Sequence, residues 1–558
     1  MKKTKIICSI GPASVNPDIM EQMVNNGMNV ARINFSHATI EERNKVIESV
    51  KEVRRRTGEN IAILFDTKGP EFRNGELEYG EIELVEGNTI KIVKENVLGN
   101  KDRFSVNHPG ALDSLSVGSI ILLENGLMKI KVIEKYDDYV KCEIINGGIL
   151  GNKKSLSVPG IHLDIPFISE ADYNDIVYAC NHDGDYLALS FVSTKEDVLS
   201  VRKILKDNNR EDLKIISKIE STTGVENIDS ILEVSDGIMI ARGDLGVEAP
   251  MEELPYLQKM MISKAREHSR ICIVATEMLE SMKHASRPTR AEVSDVANAV
   301  MDGTDAVMLS GETTVGEYPI ETVKYMADIC EQMEKHVEFP DLPEFNRKNN
   351  IVEMISINAA LSSDNLDAKL IVVSSIGGYT PRKISNIRPN APILAQCISE
   401  SVARSLALYY GVYTKIVPIC DTTDEILTLS LESGRNLENS LEITCYNIDS
   451  ELSSEFKRSL MEIKFGRSLM EALDDLKKRI PSDTINNIIL NITQTSVFGN
   501  SIIDVMNNQV EFLRDKQILE VKSQINKIPN KVSIVSVLFI VPLILLMVLG
   551  PFIINLLG

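Results

Sequence analysis

The sequence lacks the residue patterns of several common nucleotide, metal and redox sites. No glycine among the 558 residues is followed by lysine, so the GxxxxGK[ST] loop that cradles nucleotide phosphates is absent. The eight cysteines contain no CxxC pair, and Cys8, Cys272 and Cys397 lie within apolar runs, as reduced core thiols of a cytosolic protein do. The histidines other than His37 show no metal-ligand spacing.

Basic residues are outnumbered in this chain. Sixty Lys and Arg residues against 80 Asp and Glu residues give a formal net charge of -20. Nucleic acids are bound through positively charged surfaces, so this balance argues against a nucleic acid partner. We also expect no N-terminal targeting signal, because residues 1–3 lead directly into the first apolar segment. We therefore expect a cytoplasmic body.

Short apolar segments alternate with helix-length segments over the first 340 residues. Parallel strands that are buried on both faces read as nearly continuous apolar runs, so this alternation predicts an α/β fold, the (β/α)8 TIM barrel. The predicted strands are residues 4–10, 29–34, 61–66, 185–191, 214–219, 237–241, 271–276 and 305–310. The predicted helices are residues 40–57, 195–207, 252–268, 290–301 and 320–337. We expect residues 1–69 and 165–340 to form the barrel.

Polar and charged residues follow the predicted strands at the end where a barrel carries its active site. Lys218 and Glu220 end one apolar run, and Asp244 follows the next. Such groups are costly to bury without partners, so a metal ion and an anionic ligand are their natural partners. The pattern therefore indicates chemistry on a phosphorylated substrate.

Residues 70–164 interrupt the alternation. About 95 residues separate the third predicted strand from the next part of the barrel, far more than an ordinary connection needs. This insert alternates apolar and polar residues, as in residues 82–85 and 89–93, between turns rich in glycine and asparagine. We expect a small β-barrel lid domain at the active-site end of the barrel. A passive inserted domain is the alternative.

These residues and several longer motifs carry a family resemblance. The chain resembles pyruvate kinase over residues 1–448, which implies transfer of the phosphoryl group of phosphoenolpyruvate to ADP, giving pyruvate and ATP in glycolysis. The motifs are TKIICSIGPAS at residues 4–14, GMNVARINFSH at 27–37, DTKGPE at 66–71, DGIMIARGDLGVE at 236–248, RPTRAE at 287–292 and DGTDAVMLSGET at 302–313.

The resemblance implies a role for each polar residue after the central strands. Glu220 and Asp244 would be the protein ligands of Mg2+ (or Mn2+), because a hard cation prefers carboxylate oxygens. Lys218 would neutralise charge on the phosphoryl group during transfer.

Three further residues would bind the substrate. Arg32 would hold the phosphate as a forked donor, and Gly243 would let the backbone approach the substrate carboxylate. Thr276 is expected to begin a helix at its strand end, where its hydroxyl would bind that carboxylate and help deliver a proton to the enolate.

Nucleotide and monovalent-cation sites also come from the resemblance. Arg73, Lys154, Asn34 and His37 would contact the nucleotide, although a structural hydrogen-bonding role is the alternative for His37. The K+ site would take its oxygen donors from Asn34, Ser36, Asp66 and Thr67. Glu71 is the residue type that accompanies K+ dependence in this family.

The chain departs from the family pattern at several positions near the expected site. Glu124 and Asn125 stand where two aspartates usually precede a glycine, and Ser155 replaces a usual glycine beside Lys154. Glu277 replaces a glutamine next to Thr276. None of these changes removes an expected metal ligand or Lys218.

Residues 350–448 are predicted to be a C-terminal α/β domain with strands near residues 370–375, 392–395 and 415–418. Some members of the family bind sugar-phosphate or other effectors in this region, and Ser374, Ser375 and Thr380 are candidates for part of a phosphate loop. Ordinary strand-to-helix turns are the alternative. The usual glycine-rich segment and final strand are missing after residue 447, so we expect an incomplete sheet, and a homo-oligomer stays an open possibility.

The C-terminal tail differs from the rest of the chain. Residues 455–530 are predicted to be helical, and residues 532–558 contain no charged residue. A run of this length can span a bilayer, so we expect one transmembrane helix at residues 532–557, with a buried core helix as the alternative. Lysines at 522, 527 and 531 favour a cytoplasmic catalytic body anchored to the membrane.

The tail also resembles the inner-membrane platform proteins of type II secretion (system F) and tight-adherence pilus assembly. Residues 465–473, 498–501 and 549–554 carry this resemblance. A natural fusion and a sequence artefact both remain open explanations of the junction.

Two alternatives to a membrane-anchored pyruvate kinase come from other classes. One is a catalytically weakened barrel that serves as the soluble body of a membrane assembly component. The other is a Mg2+-dependent 2-oxo acid lyase of the same barrel type, which would need neither ADP, K+ nor a lid.

Overall fold

The computed structural model describes residues 1–161, 163–337 and 351–418, together with residues 455, 457–459, 461–462, 467 and 469–480. The chain divides into two compact units, Met1–Ile419 and Cys420–Gly558.

A closed barrel of eight parallel strands forms the body of the first unit. Each strand pairs with its neighbour in chain order, and the last pairs with the first. The predicted (β/α)8 fold is therefore confirmed. The strands are β1 Lys5–Ser9, β2 Val30–Asn34, β3 Ala62–Asp66, β4 Tyr186–Leu189, β5 Lys214–Ile219, β6 Gly237–Ala241, β7 Ile271–Ala275 and β8 Ala306–Leu309.

Helices cover the outside of the barrel and pack their apolar faces on the strands. Their starts are set by capping side chains: Thr39 and Thr194, for example, each form a capping box with an acidic residue three positions later. The helices are Pro17–Asn25, Ile40–Thr57, Glu170–Asn181, Lys195–Asp207, Thr222–Glu226, Ile228–Val234, Arg242–Glu248, Leu254–Glu267, Arg290–Asp302, Gly311–Thr314 and Pro319–Met333, with a 3-10 turn at Glu280–Lys283.

The insert between β3 and β4 is a β domain with its own apolar core, whose fully buried members include Phe104, Ile130 and Val132. Six strands form one sheet and two strands form a second. The first sheet runs in the order Leu156–Ser157, Ile120–Leu123, Met128–Lys135, Tyr139–Asn146, Thr89–Val93, Arg103–Ser105; the second pairs Gly148–Gly151 with Glu81–Leu84; short 3-10 turns lie at Glu78–Gly80 and Pro109–Ser114.

Residues 351–418 form an α/β domain with a three-stranded parallel sheet in the order Ile371–Ser375, Ile393–Cys397, Val412–Ile416. The strand predicted at 415–418 lies three residues earlier, because the chain turns at Gly411 and buries Val412 rather than Ile416. The helices are Ile351–Asn365, Tyr379–Ile387 and Glu400–Arg404.

The α/β domain joins the end of the barrel opposite the carboxyl ends of its strands. Ile384 and Ala395 belong to the same apolar core as Ile7 and Tyr186 in the barrel. The Tyr186 hydroxyl donates to the carbonyl of Ser405 at 2.7 Å. The carboxyl ends of the barrel strands are thus left free for the site.

In the second unit, the described residues include the helix Leu469–Arg479, which buries Ala472, Leu473 and Leu476. Within the described part of the chain, no helix is long and apolar enough to cross a membrane. The predicted membrane segment at 532–557 and the missing sheet edge after residue 447 lie outside the described residues. The domain boundaries stay predictions.

Candidate active site

Lys218 is the centre of a buried polar cluster at the carboxyl ends of β3, β4 and β5. Its Nζ lies 3.0 Å from Glu220 Oε1 and 3.2 Å from Asp66 Oδ1, and it donates to Ser190 Oγ at 2.7 Å. Parallel strands in register bring these residues together, because Ser217 of β5 pairs with Leu189 of β4. The sequence placed Lys218 and Glu220 at the same strand end, and in the structure their side chains are in contact.

Lys218 and Asp66 hold each other in their ionised forms. Burial alone would lower the pKa of Lys218, but the carboxylates of Asp66 and Glu220 raise it above its ordinary value. Burial would raise the pKa of Asp66, yet Lys218 and Arg32 hold it below its usual range. Lys218 is therefore a permanent cation that can face an anionic substrate.

Arg32 is tied into the same cluster from β2. Its Nε donates to Asp66 Oδ2 at 2.7 Å and its terminal nitrogen to Ser9 Oγ at 2.7 Å. One oxygen of the Asp66 carboxylate thus binds Arg32, and the other binds Lys218. Two cations are positioned side by side, which suits a phosphate group with several negative oxygens.

Glu220 and Asp244 form a carboxylate pair at the ends of β5 and β6. Glu220 is 1% exposed, and burial raises its pKa to about 7, with a contribution from the charge of Asp244. Asp244 is exposed on one side, but desolvation by the protein around its carboxyl, with the nearby charges of Asp66 and Glu71, raises the pKa of this group as well. Two adjacent carboxylates that resist ionising together fit a divalent cation, which removes their repulsion. No group of three His, Cys, Asp or Glu side chains converges as a metal site among the described residues, so such a cation would take its other ligands from water or substrate.

Thr276 does not begin a helix, contrary to the prediction. Thr276 and Glu277 have φ values of 71° and 52°, a left-handed conformation in which no right-handed helix can start. The helix that starts next to Thr276 is instead Arg242–Glu248, which directly follows the neighbouring strand β6. Thr276 Oγ1 accepts the backbone N–H of Gly243 at 2.8 Å and donates to the carbonyl of Ala275. Gly243 and Thr276, both predicted site residues, therefore meet directly.

Arg242 fixes this left-handed segment and was not predicted. One of its terminal nitrogens donates to the carbonyl of Thr276 at 2.7 Å, and the other bonds Asp295 Oδ1 at 2.7 Å. Its side chain is 10% exposed. Non-glycine residues with positive φ persist only where their surroundings hold them, and Arg242 supplies that support.

A cavity of about 400 Å³ lies between the barrel and the lid. Glu220 and Asp244 line it from the barrel, and Arg73 and Lys154 line it from the lid side. The structure thus brings the expected metal ligands and two expected nucleotide contacts to one space. A cavity of this size is in the range of small-molecule sites.

Both lid-side cations are paired with glutamates inside this cavity. Glu71 binds Arg73 with both carboxylate oxygens, at 2.6 and 2.9 Å. Glu124 accepts from Lys154 Nζ at 2.6 Å. The sequence singled out Glu71 and Glu124 without indicating either contact.

The proposed K+ ligands lie around the ends of β2 and β3. Asn34 and Asp66 are opposite one another in the strand register. Asn34 Oδ1 accepts the N–H of Ser36 at 3.0 Å, and Thr67 Oγ1 accepts the N–H of Ser190 at 3.3 Å. His37 is exposed in the following turn, and neither Asn34 nor His37 is among the residues that line the cavity.

Sequence reasoning also missed Ser190 and Phe191. The Phe191 N–H donates to Glu220 Oε2 at 2.7 Å from a backbone with φ of 57°, and Ser190 accepts from Lys218. Both belong to the predicted strand 185–191, and a polar residue near the end of an apolar strand was the available signal for Ser190.

The fold and the site define a barrel enzyme that acts on an anionic, phosphorylated substrate, and comparison with known proteins makes the class specific. The family models "Pyruvate kinase, barrel domain" and "Pyruvate kinase, alpha/beta domain" match residues 1–323 and 353–440. The chain belongs to the pyruvate kinase family. A third family model, "Type II secretion system (T2SS), protein F", matches residues 425–550, so the resemblance of the tail is confirmed and begins before residue 455.

Relatives and solved structures agree with this assignment. Pyruvate kinase from Geobacillus stearothermophilus is 46% identical over 438 residues, covering 78% of this chain and 75% of the relative. Pyruvate kinase from Clostridium acetobutylicum is 39% identical over 461 residues, covering 81% and 98%. The crystal structure of a pyruvate kinase from Cryptosporidium parvum matches with a TM-score of 0.75 and 39% identity, covering 77% of this chain and 90% of that one.

Proposed function

We propose that this chain transfers the phosphoryl group of phosphoenolpyruvate to ADP, giving pyruvate and ATP. The observation that carries the proposal is Lys218, held at 3.0 Å from Glu220 and 3.2 Å from Asp66 at the carboxyl ends of the barrel strands. Phosphoryl transfer needs positioning and charge stabilisation more than covalent chemistry, and a largely buried lysine that stays charged supplies both. Membership of the pyruvate kinase family favours this reaction over a lyase reaction.

The carboxylates of Glu220 and Asp244 would hold Mg2+ or Mn2+. Their mutual repulsion and raised pKa values support this role. When bound, the cation supplies Lewis-acid neutralisation of charge on the substrate oxygens.

Arg32 and Lys218 would bind the phosphate of phosphoenolpyruvate from two sides, because Asp66 aligns both cations. Gly243 and Thr276 would bind the substrate carboxylate, since the Thr276 hydroxyl and the start of the helix Arg242–Glu248 lie together. Thr276 would also deliver a proton to the enolate.

The nucleotide would occupy the cavity beneath the lid. Arg73 and Lys154 line that cavity as phosphate-binding cations, whereas roles for Asn34 and His37 rest on the family resemblance alone. K+ would bind the oxygen donors of Asn34, Ser36, Asp66 and Thr67, and the register of β2 and β3 supports this set. Association into a homo-oligomer remains a prediction.

The decisive test is pyruvate formation from phosphoenolpyruvate and ADP by the full-length protein in detergent. We expect turnover that stops when Mg2+ is removed with a chelator and rises when K+ is added. Folded protein without turnover under these conditions would instead favour a non-catalytic barrel attached to a membrane component.

We further infer that residues 532–557 anchor this cytoplasmic body to a membrane. The match of residues 425–550 to a secretion-system protein and the absence of charge after residue 531 support the proposal.

Arginine at the centre of a membrane helix costs about 3 kcal/mol. Leu545→Arg combined with Leu546→Arg should therefore move the protein from the carbonate-washed membrane fraction to the supernatant. Asn508→Arg, which lies outside the apolar run, is the control and should stay in the membrane fraction. Equal release of the double variant and the control would exclude the anchor.

A further inference from the structure

Glu124 forms an ion pair with Lys154, the lid residue that is expected to contact the nucleotide phosphates. Glu124 Oε1 lies 2.6 Å from Lys154 Nζ, and both residues line the cavity beneath the lid. The two side chains are 24% and 42% exposed, so water and ligands can reach the pair. A charge-assisted contact of this length is the one that a phosphate oxygen would make with the same lysine.

The backbone around Glu124 is held in an uncommon conformation. Glu124 and Asn125 have φ values of 49° and 54°, followed by Gly126 at 85°. Consecutive non-glycine residues in the left-handed region carry strain. Ser155 holds this turn: its carbonyl accepts the N–H of Glu124 at 2.9 Å, and its hydroxyl donates to Asn125 Oδ1 at 2.9 Å.

Two hydrogen bonds fix the backbone of Lys154. Asn74, which is 1% exposed, accepts the N–H of Lys154 through its side chain at 2.6 Å and donates its own N–H to the carbonyl of Lys154. A Cβ on Gly151 would lie 2.9 Å from Lys154 Cε, so the glycine leaves room for the lysine stem. Local contacts therefore hold the backbone of both members of the ion pair, Glu124 and Lys154.

We propose that Glu124 is a specificity-determining residue that competes with the nucleotide phosphate for Lys154. The inference rests on the proposed nucleotide-binding role of Lys154. A ligand must displace the carboxylate to reach the ammonium group, so a group with dense negative charge, such as the diphosphate of ADP, is favoured over weaker anions. The strained turn keeps the competing carboxylate in place when the nucleotide is absent.

The test compares Glu124→Gln and Lys154→Met with the parent enzyme. Glutamine keeps the size of the side chain and removes the charge. Partly exposed ion pairs are weak, so Glu124→Gln should lower the KM for ADP by about two- to fivefold, without changing the KM for phosphoenolpyruvate. Lys154→Met should raise the KM for ADP and cancel the gain in the double variant.

Glu134→Gln is the matched control, since Glu134 pairs with Lys141 at 2.8 Å in the same lid domain but is not among the residues that line the cavity. This control should leave both KM values unchanged. Calorimetric titration of each variant with ADP and Mg2+ gives the same comparison without turnover, and thermal melting of each variant shows whether the lid still folds.

Each remaining outcome has a distinct meaning. If Lys154→Met weakens ADP binding and Glu124→Gln does not tighten it, the competition is wrong and the nucleotide role of Lys154 stands. If Glu124→Gln weakens ADP binding, Glu124 positions Lys154 and does not compete with the ligand. If Lys154→Met has no effect on ADP, both the nucleotide role of Lys154 and the present inference fail.

Discussion

Asp66 Oδ1 lies 3.2 Å from Lys218 Nζ, while the second oxygen of the same carboxylate bonds Arg32 Nε at 2.7 Å. Asp66 is fully buried. A single carboxylate therefore sets the spacing of two cations that come from different strands. Without it, the two positive charges would repel each other in a site with little water.

Lys218→Met should reduce phosphoryl transfer by about a thousandfold or more, because it removes the cation that neutralises the phosphoryl group. Mn2+ binding, read by electron paramagnetic resonance, should persist, since Glu220 and Asp244 remain. Lys264→Met removes a cation from a partly exposed pair with Asp229 and serves as the control, with near-normal turnover. Normal turnover of Lys218→Met would disprove the role given to this lysine.

Glu71→Lys should relax the K+ requirement for turnover. The substitution replaces the carboxylate that holds Arg73 at 2.6 Å with a cation beside the nucleotide cavity, which takes over part of the positive charge that K+ supplies. The measurement is the ratio of turnover with and without K+. Glu76→Lys, at an exposed position paired with Lys153, is the matched control. An unchanged ratio in Glu71→Lys would contradict the proposed cation site.

Arg242→Lys should lower kcat by about tenfold or more, because lysine cannot bond the Thr276 carbonyl and Asp295 in one fork. The left-handed segment at Thr276 would lose a support. Arg202→Lys is the control: Arg202 also joins a carbonyl and a carboxylate, Val234 and Asp236, at the opposite end of β6. Equal losses in the two variants would indicate a general effect on the barrel.

The stability of Lys5→Met relative to the parent should be greatest at neutral and lower pH. Lys5 is 3% exposed, and burial, with the nearby charge of Lys2, lowers its pKa to about 7, whereas Glu334 and Glu59 act in the opposite direction. A folded-state pKa below the unfolded value means that the ammonium form opposes folding. This destabilisation develops as pH falls from about 10.5 to 7 and is constant below that range.

The measurement for Lys5 is the melting temperature of the parent and the variant between pH 6 and 10. The advantage of Lys5→Met should grow as pH falls. Lys45→Met, on an exposed helix position, should show no such trend. A difference that does not change with pH would mean that Lys5 is not neutralised by burial.

Much of the barrel could be predicted because its local signals agree with its tertiary structure. Strands β5 and β6 and the helix Ile40–Thr57 have the predicted bounds. Continuous apolar runs mark strands buried on both faces, and Thr39 marks the helix start. The third strand of the C-terminal sheet was predicted too late in the chain. The apolar pair Ile416-Val417 suggested a strand there, and the turn at Gly411, which starts the strand earlier, was not recognised.

The sequence by itself determined the fold class, the family, and the presence of Lys218, Glu220 and Asp244 at neighbouring strand ends. Residue type and order along the chain are enough for these, since parallel strands in chain order bring their carboxyl ends together. Only the tertiary structure decided that Thr276 is left-handed and supported by Arg242, that Asp66 joins Arg32 to Lys218, and that Glu124 holds Lys154. Each of these depends on distances between segments far apart in sequence, and such distances follow from packing and not from local pattern.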